Sequence, residues 1–258
     1  MKHNLVIVRA GDSSLHPKWL ASASASTNWE LWVSYFGDAP DQYRSDGLTH
    51  IDGPGPKFPA LKHLLASLLG RIMTRYKYVW LPDDDLDCDP QGIDLFFSLC
   101  KRFELKLAQP SLTDDSFISH PTTMNNPNYL IRFTDYVESM APCFRVDAFA
   151  ACLPTFDENI SGWGLDHLWP LFLCPISGRI GIVDAVQMRH TRAFGGPNYI
   201  HVKRQNTTPQ AEIRALVERH RLRRPLLITI AGAVDLTGRE LSAMEFRSQR
   251  NLWWSAPW

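Results

Sequence analysis

The chain has 258 residues, of which 45% are hydrophobic and 21% charged, with 27 Lys and Arg against 27 Asp and Glu. This composition is that of a globular protein. We predict a main domain over 1–205 and a C-terminal extension over 206–258 packed on or near it. The balanced charge excludes a global field that would recruit nucleic acid or an anionic membrane.

The cysteines and the apolar segments bear on the compartment. Five cysteines are scattered along the chain, none in a Cys-x-x-Cys pair that would suggest zinc. Most have apolar neighbours, which predicts buried free thiols in a reducing compartment. The N-terminal apolar run is too short for a signal peptide, and no run approaches the roughly 20 residues that span a bilayer. We expect a cytoplasmic protein, with peripheral membrane contact through the C-terminal tail as an open alternative.

The first part of the chain alternates between apolar, β-branched runs and segments with helical spacing. The predicted strands are residues 5–8, 29–36, 48–52, 78–81 and 105–108. The predicted helices are a short one that ends near residue 24, then 57–75 and 90–103. Alternation of this kind predicts an α/β fold with a mostly parallel, Rossmann-like central sheet and helices on both faces.

The second part has weaker patterns. Residues 113–128 are polar and rich in Pro and Asn, which predicts a long surface loop. The predicted strands are 136–144, broken near Pro142, and 179–186, which 188–190 extends. The predicted helices are 146–153, a segment that ends near 174, a basic helix over 209–221 and 238–250. Residues 226–231 are predicted to form a short strand or a buried turn.

An acidic cluster follows the strand predicted at 78–81 and consists of Asp83, Asp84, Asp85, Asp87 and Asp89. Carboxylates this close repel one another unless a cation lies among them, and Mg²⁺ or Mn²⁺ prefers such oxygen ligands. We favour an Asp-x-Asp metal site made by Asp83 and Asp85. The alternatives are a calcium loop, which lacks the required glycine, a phosphatase-type nucleophile, and a solvated acidic loop.

A second cluster is Gly162-Trp-Gly-Leu-Asp166. The glycines Gly162 and Gly164 predict close backbone approach, which leaves the indole of Trp163 available to stack on a sugar or a base. Asp166 opens a predicted helix, so it is either a helix cap or a general base.

The remaining candidates are single residues. His190 follows a predicted strand and is either structural or a neutral metal ligand. Arg9, Lys57 and Arg192 are predicted to bind the donor. Lys57, Arg192 and Lys203 are each either a surface charge or a group that neutralises a diphosphate. Glu138 lies in an apolar segment, so it is either paired or faces an acceptor.

In their joint order these motifs resemble the GT-A family of nucleotide-sugar glycosyltransferases. More narrowly, they resemble a branch found in plants and bacteria and classed as a domain of unknown function. The matching segments are 78–86, 108–112, 137–144, 163–166 and 181–184, together with His190. The resemblance does not extend beyond about residue 205.

The resemblance implies a fold and a set of roles. It implies a GT-A-like sheet, a UDP-sugar or similar donor, Mn²⁺ or Mg²⁺, and a glycan or lipid-linked acceptor. Asp83 and Asp84 would contact the donor, Asp85 and His190 would hold the metal with Asp83, and Asp166 would be the base of an inverting reaction. Trp163, Gly164 and Glu138 would lie against the acceptor. Leu165 departs from the family pattern, in which a second glycine occupies that position.

Two other functions share this chemistry and stay open. A metal-dependent nucleotidyltransferase or phosphodiesterase would use the same carboxylates on phosphate. A non-catalytic domain that binds nucleotide sugars would bind with metal yet show no turnover.

Overall fold

The computed structural model describes residues 2–21, 27–39, 42–46, 48–51, 55–173, 179–193, 195, 197–222 and 226–248, with the backbone alone for 48–51 and 197–200. The strands in these residues are β1 (Asn4–Ala10), β2 (Trp29–Tyr35), β3 (Leu48–Ile51), β4 (Tyr78–Trp80), β5 (Leu86–Cys88), β6 (Leu107–Leu112), β7 (Tyr129–Thr134), β8 (Cys143–Arg145), β9 (Ile180–His190), β10 (Ile230–Asp235) and β11 (Glu240–Ser242). The helices are α1 (His16–Leu20), α2 (Lys57–Ala66), α3 (Leu69–Arg75), α4 (Pro90–Arg102), α5 (Val146–Cys152), α6 (Leu165–Phe172), α7 (Pro197–Arg204), α8 (Pro209–Arg219) and α9 (Ala243–Ser248).

The strands form one mixed sheet in the order β11-β10-β7-β9-β6-β8-β4-β1-β2-β3, and β5 pairs with β9 beside this path. Strands β3, β2, β1 and β4 are mutually parallel, and β6 is parallel to β9. Strand β8 is antiparallel to both β4 and β6, so β1, β4, β6 and β9 all run in the same direction. The predicted α/β class with a mostly parallel centre is confirmed.

Both faces of the sheet are covered, as the uninterrupted apolar run of β1 predicts. Val6 and Val8 pack into a core layer with α1 and α4. Leu5 and Ile7 point the other way and pack with α2, α3, α5, α6 and α8. Alternate residues of one strand therefore anchor two separate layers of helices.

Several predicted boundaries differ from the structure. The helix predicted over 57–75 is two helices, because the chain makes a tight turn at Leu68, whose amide bonds the carbonyl of Leu65. The strand predicted over 136–144 forms only at Cys143–Arg145, and the preceding residues line the site as irregular backbone. Strand β7 was not predicted, because the buried charge of Arg132 interrupts its apolar pattern.

The described residues after 205 contribute two strands to the sheet and one helix to the core. Strand β10 pairs with β7, and β11 pairs with β10, so the helix predicted over 238–250 begins as a strand and becomes helical at Ala243. Leu216 and Val217 of α8 enter the core. The division at 205 stays a prediction, and the tryptophan tail, Trp253, Trp254 and Trp258, lies outside the described residues.

The structure also bears on the predictions about the cysteines and about membrane-spanning segments. Four of the five cysteines are buried and free, while Cys174 lies outside the described residues. None of the helices in the described part of the chain has both the length and the apolar content needed to span a bilayer.

Candidate active site

A cavity of about 830 Å³ opens beyond the carboxyl ends of β1, β4 and β9. These strands run in the same direction, so residues that follow each of them meet at one edge of the sheet, where ligands bind in open α/β folds. All eleven residues to which a site role was assigned line this cavity, whereas Asp87, Asp89 and Gly162 of the two sequence clusters do not: the eleven are Arg9, Lys57, Asp83, Asp84, Asp85, Glu138, Trp163, Gly164, Asp166, His190 and Arg192. The structure brings them together, and their individual roles stay predictions.

Lys57 holds the acidic segment in place. Its Nζ lies 2.6 Å from Oδ1 of Asp83 and donates to the carbonyls of Leu81 at 2.8 Å and Ser139 at 3.0 Å. The residue is buried, at 5% exposure, so its charge needs these acceptors. The ammonium group thus contacts a carboxylate and backbone carbonyls of the protein. The predicted contact of Lys57 with a donor diphosphate stays untested.

Asp84 ties the end of β1 to the segment after β9. Its Oδ2 accepts the amide of Gly11 at 2.9 Å, and its Oδ1 accepts Nη1 of Arg192 at 3.0 Å. Arg192 also donates to the carbonyl of Ser13 at 2.9 Å. Burial raises the pKa of Asp84. The carboxylate therefore orients Arg192 at the cavity rim, where the guanidinium side chain is 36% exposed.

Asp85 and His190 face each other. Nε2 of His190 lies 3.4 Å from Oδ2 of Asp85, and Nδ1 lies 2.7 Å from the carbonyl of Phe117, to which it donates. Burial acts to lower the pKa of His190, but the adjacent carboxylate of Asp85 outweighs it and raises the pKa to about 9. Oδ1 of Asp85 is buried and has no hydrogen-bond partner among the described residues.

This pair suits a divalent cation. A buried oxygen without a hydrogen-bond partner is rare in proteins, and a bound water or ion is one explanation for it. Carboxylate and imidazole are donors that Mn²⁺ accepts, and the phenylalanine carbonyl fixes the tautomer that leaves Nε2 as the ligand. No group of three His, Cys, Asp or Glu side chains in the described residues is arranged to hold a metal. The remaining positions would fall to phosphate oxygens and water, as is usual for Mg²⁺. Asp83 points to Lys57 here, so its predicted metal contact stays untested.

Asp166 lies in the first turn of α6 and is 9% exposed. Its Oδ1 accepts the amides of Gly164 at 3.1 Å and His167 at 3.0 Å, and its Oδ2 accepts the hydroxyl of Tyr136 at 3.1 Å. Burial raises the pKa of Asp166 to about 6, against the lowering effect of these bonds. The N-cap of α6 is Gly164, so the alternative in which Asp166 caps the helix is wrong, and its predicted role as a general base stays untested.

Glu138 is buried at the base of the cavity, at 4% exposure. The hydroxyl of Thr123 donates to Oε1 at 3.2 Å, and the Glu138 amide donates to the side chain of Gln109 at 2.6 Å. Burial raises the pKa of Glu138 to about 8, so the carboxyl group keeps its proton at neutral pH. A protonated carboxyl group can donate a hydrogen bond, which a carboxylate cannot.

The loop that carries Trp163 needs its two glycines. Gly162 has φ +81° and Gly164 has φ +90°, which other residues rarely adopt. A Cβ at Gly162 would lie 3.0 Å from the ring of Phe58, and one at Gly164 would lie 2.9 Å from Cγ1 of Ile213. The backbone thus lies close to both neighbours, and the side chain of Trp163, at 37% exposure, lines the cavity.

Several lining residues were not predicted from the sequence, among them His120, Tyr136, His167 and Ile213. The ring of Tyr136 lies between those of His120 and His167, with centroids 4.8 and 4.9 Å apart. Burial lowers the pKa of His120, and lowers that of His167 to about 4, which favours the neutral form of each imidazole. Tyr136 and Glu138 are two residues apart, so a strand here would place both on one face, and this spacing could have pointed to Tyr136. The sequence around Ile213 offers no comparable signal.

Comparisons with known proteins give only distant likenesses. No protein-family model matches the chain, and no curated protein matches it. Among solved structures, it is similar to TarS of S. aureus. The match to TarS 1–349 in complex with UDP-GlcNAc has 12% identity and a TM-score of 0.47, over 76% of this chain and 60% of that one.

Two further TarS structures give similar values. TarS 1–349 alone has 13% identity and a TM-score of 0.47 over 79% and 64% of the two chains. The longer TarS chain has 14% identity and a TM-score of 0.49 over 84% and 42%. The chain thus spans less than two thirds of each TarS chain. At these values the likeness carries no inference about activity.

Proposed function

We propose that the protein is a metal-dependent glycosyltransferase that moves a sugar from a nucleoside diphosphate sugar to an acceptor hydroxyl with inversion. One observation carries the proposal. Asp85, whose buried Oδ1 has no hydrogen-bond partner among the described residues, lines the same cavity as His190 and as Asp166, a carboxylate whose pKa burial raises to about 6. A metal-dependent inverting transfer requires a bound cation to stabilise the leaving diphosphate and a base to remove the proton of the acceptor hydroxyl.

The donor end is defined by basic side chains at the ends of β1 and β9. Arg9 donates from Nε to the carbonyl of Gly55 at 3.2 Å and from Nη1 to the hydroxyl of Ser34 at 3.0 Å. These bonds fix its guanidinium group at the cavity wall. Together with Arg192 it supplies two planar cations whose geometry matches phosphate oxygens. A UDP-sugar is the donor that the family resemblance favours.

The Asp85–His190 pair lines the same cavity as these arginines. These two side chains would hold Mn²⁺ or Mg²⁺, and the cation would supply positive charge for the departing diphosphate. His190 must lose its proton to act as a ligand, so ion binding and protonation of the imidazole compete.

Asp166 acts on the acceptor. Its Oδ2 removes the proton from the attacking hydroxyl while that oxygen forms a bond to the anomeric carbon and the bond to the diphosphate breaks. The Tyr136 hydroxyl and two backbone amides hold the carboxylate in place. Attack from the face opposite the leaving group inverts the anomeric configuration. Protonated Glu138 and the indole of Trp163 would position the acceptor.

The test is product analysis with Mn²⁺ and a panel of nucleotide sugars, in which water serves as the default acceptor. We expect release of nucleoside diphosphate, lost on chelation and reduced at least about 100-fold in Asp166→Asn. Asp85→Asn should abolish ion-dependent stabilisation by nucleotide in a thermal-shift assay. The matched control is Asp87→Asn, which changes a carboxylate in the same acidic cluster that pairs with Lys18 at the surface.

Other products would contradict the proposal. Release of nucleoside monophosphate or pyrophosphate would indicate a nucleotidyltransferase or phosphodiesterase. Ion-dependent binding of nucleotide sugars without turnover, unchanged in Asp166→Asn, would indicate a binding domain. A product that retains the anomeric configuration would remove Asp166 from the role of base.

A further inference from the structure

Helix α8 lies in the part of the chain that the family resemblance does not cover, yet it contacts the loop that carries Trp163. The carboxylate of Glu212 accepts two successive backbone amides, that of Ile160 at 3.1 Å on Oε1 and that of Ser161 at 2.9 Å on Oε2. Hydrogen bonds to a carboxylate are stronger than those between neutral groups. The loop is therefore fastened to α8 immediately before Gly162.

A second contact joins the start of the loop to the end of the helix. Glu158 accepts Nη1 of Arg219 at 2.5 Å and lies 3.0 Å from Nε2 of His220. The helix itself is anchored, because Leu216 and Val217 are buried in the core beneath it. The loop is therefore bonded to α8 at two places, at Glu158 and at residues 160–161, and α8 is itself held in the core.

The fastened loop leads directly to Asp166. Ile213, next to Glu212, lines the cavity and packs against Gly164. The amide of Gly164 donates to Oδ1 of Asp166 at 3.1 Å. Any shift of the loop away from α8 would therefore change the orientation of the carboxylate as well as that of Trp163.

We propose that Glu212 is a positioning residue of the active site. It holds residues 160–164 in the conformation in which the Trp163 side chain lines the cavity and the Gly164 amide orients Asp166. The effect of Glu212 on catalysis rests on the function proposed above. The hydrogen bonds by which Glu212 holds the loop do not depend on that function.

The first test is hydrogen exchange followed by mass spectrometry on peptides that cover 158–168. We expect exchange of the amides of Ile160 and Ser161 to be about tenfold faster in Glu212→Gln. The control is Glu218→Gln, which makes the same change on the exposed side of α8 and should leave these peptides unchanged. Unchanged exchange in Glu212→Gln would overturn the proposal.

The second test measures turnover of the same variants with the nucleotide sugar that the wild type consumes. We expect Glu212→Gln to lower kcat about tenfold with the KM for the donor unchanged, because the donor end lies on other segments. Faster exchange with an unchanged kcat would overturn the positioning role. If the wild type consumes no nucleotide sugar, the glycosyltransferase proposal fails, and the exchange result still decides whether Glu212 holds the loop.

Discussion

Replacing Asp184 should destabilise the protein severely, because it leaves a buried arginine without its counter-charge. Arg132 forms a two-pronged pair with Asp184, with Nε 2.7 Å from Oδ2 and Nη2 2.8 Å from Oδ1. The side chains are 8% and 0% exposed. Breaking such a pair from one side costs about 3–5 kcal/mol, out of the roughly 5–15 kcal/mol that keeps a typical domain folded. We expect this loss in the free energy of unfolding of Asp184→Ala, measured by urea denaturation.

A surface pair provides the control. Glu240 lies 2.7 Å from Arg179, but the two side chains are 51% and 38% exposed, so Glu240→Ala should cost at most about 1 kcal/mol. Asp184 also accepts the amide of Asn126 at 2.9 Å, which adds to the loss at that site alone. The reasoning is refuted if the two alanine variants are equally stable, since burial would then make no difference to the value of a charge pair.

Three further outcomes are expected. Burial raises the pKa of Asp166 to about 6, and only the carboxylate removes a proton, so kcat should fall as pH drops below about 6; a flat profile across that range would exclude this base. Gly164→Ala should cost about 1–3 kcal/mol in urea unfolding because of its φ of +90°, whereas Gly70→Ala, which meets open space, should stabilise by up to about 1 kcal/mol. Lys57→Met should cost about 1–3 kcal/mol in the same assay, because Asp83 and three carbonyls lose their donor; an unchanged midpoint would contradict that anchoring role.

The parts of the site that the sequence predicted are local in origin. Asp83, Asp84 and Asp85 directly follow a buried strand, and His190 ends another. Both facts are visible in a short window of residues. The rule that ligands collect beyond the carboxyl ends of parallel strands then places these residues together without knowledge of the contacts.

The parts that were missed depend on partners far along the chain. Arg132 looks like an interruption of a strand until Asp184, 52 residues later, is seen to neutralise it. Glu212 and Ile213 lie on an ordinary amphipathic helix, and only the folded chain shows that they reach the Trp163 loop. Sequence periodicity reports which face of an element is buried, not which neighbour covers it.

The position of β9 bears on the order in which the protein assembles during synthesis. This strand lies between β6 and β7 in the sheet, although it follows both in the chain. When only the first 170 residues have been synthesised, one edge of β6 and both edges of β7 lack their partners, because β9 and β10 are not yet made, and His190 is missing from the cavity. Such edges attract other chains. Newly made protein should thus be most prone to aggregation in the interval before residue 190 emerges.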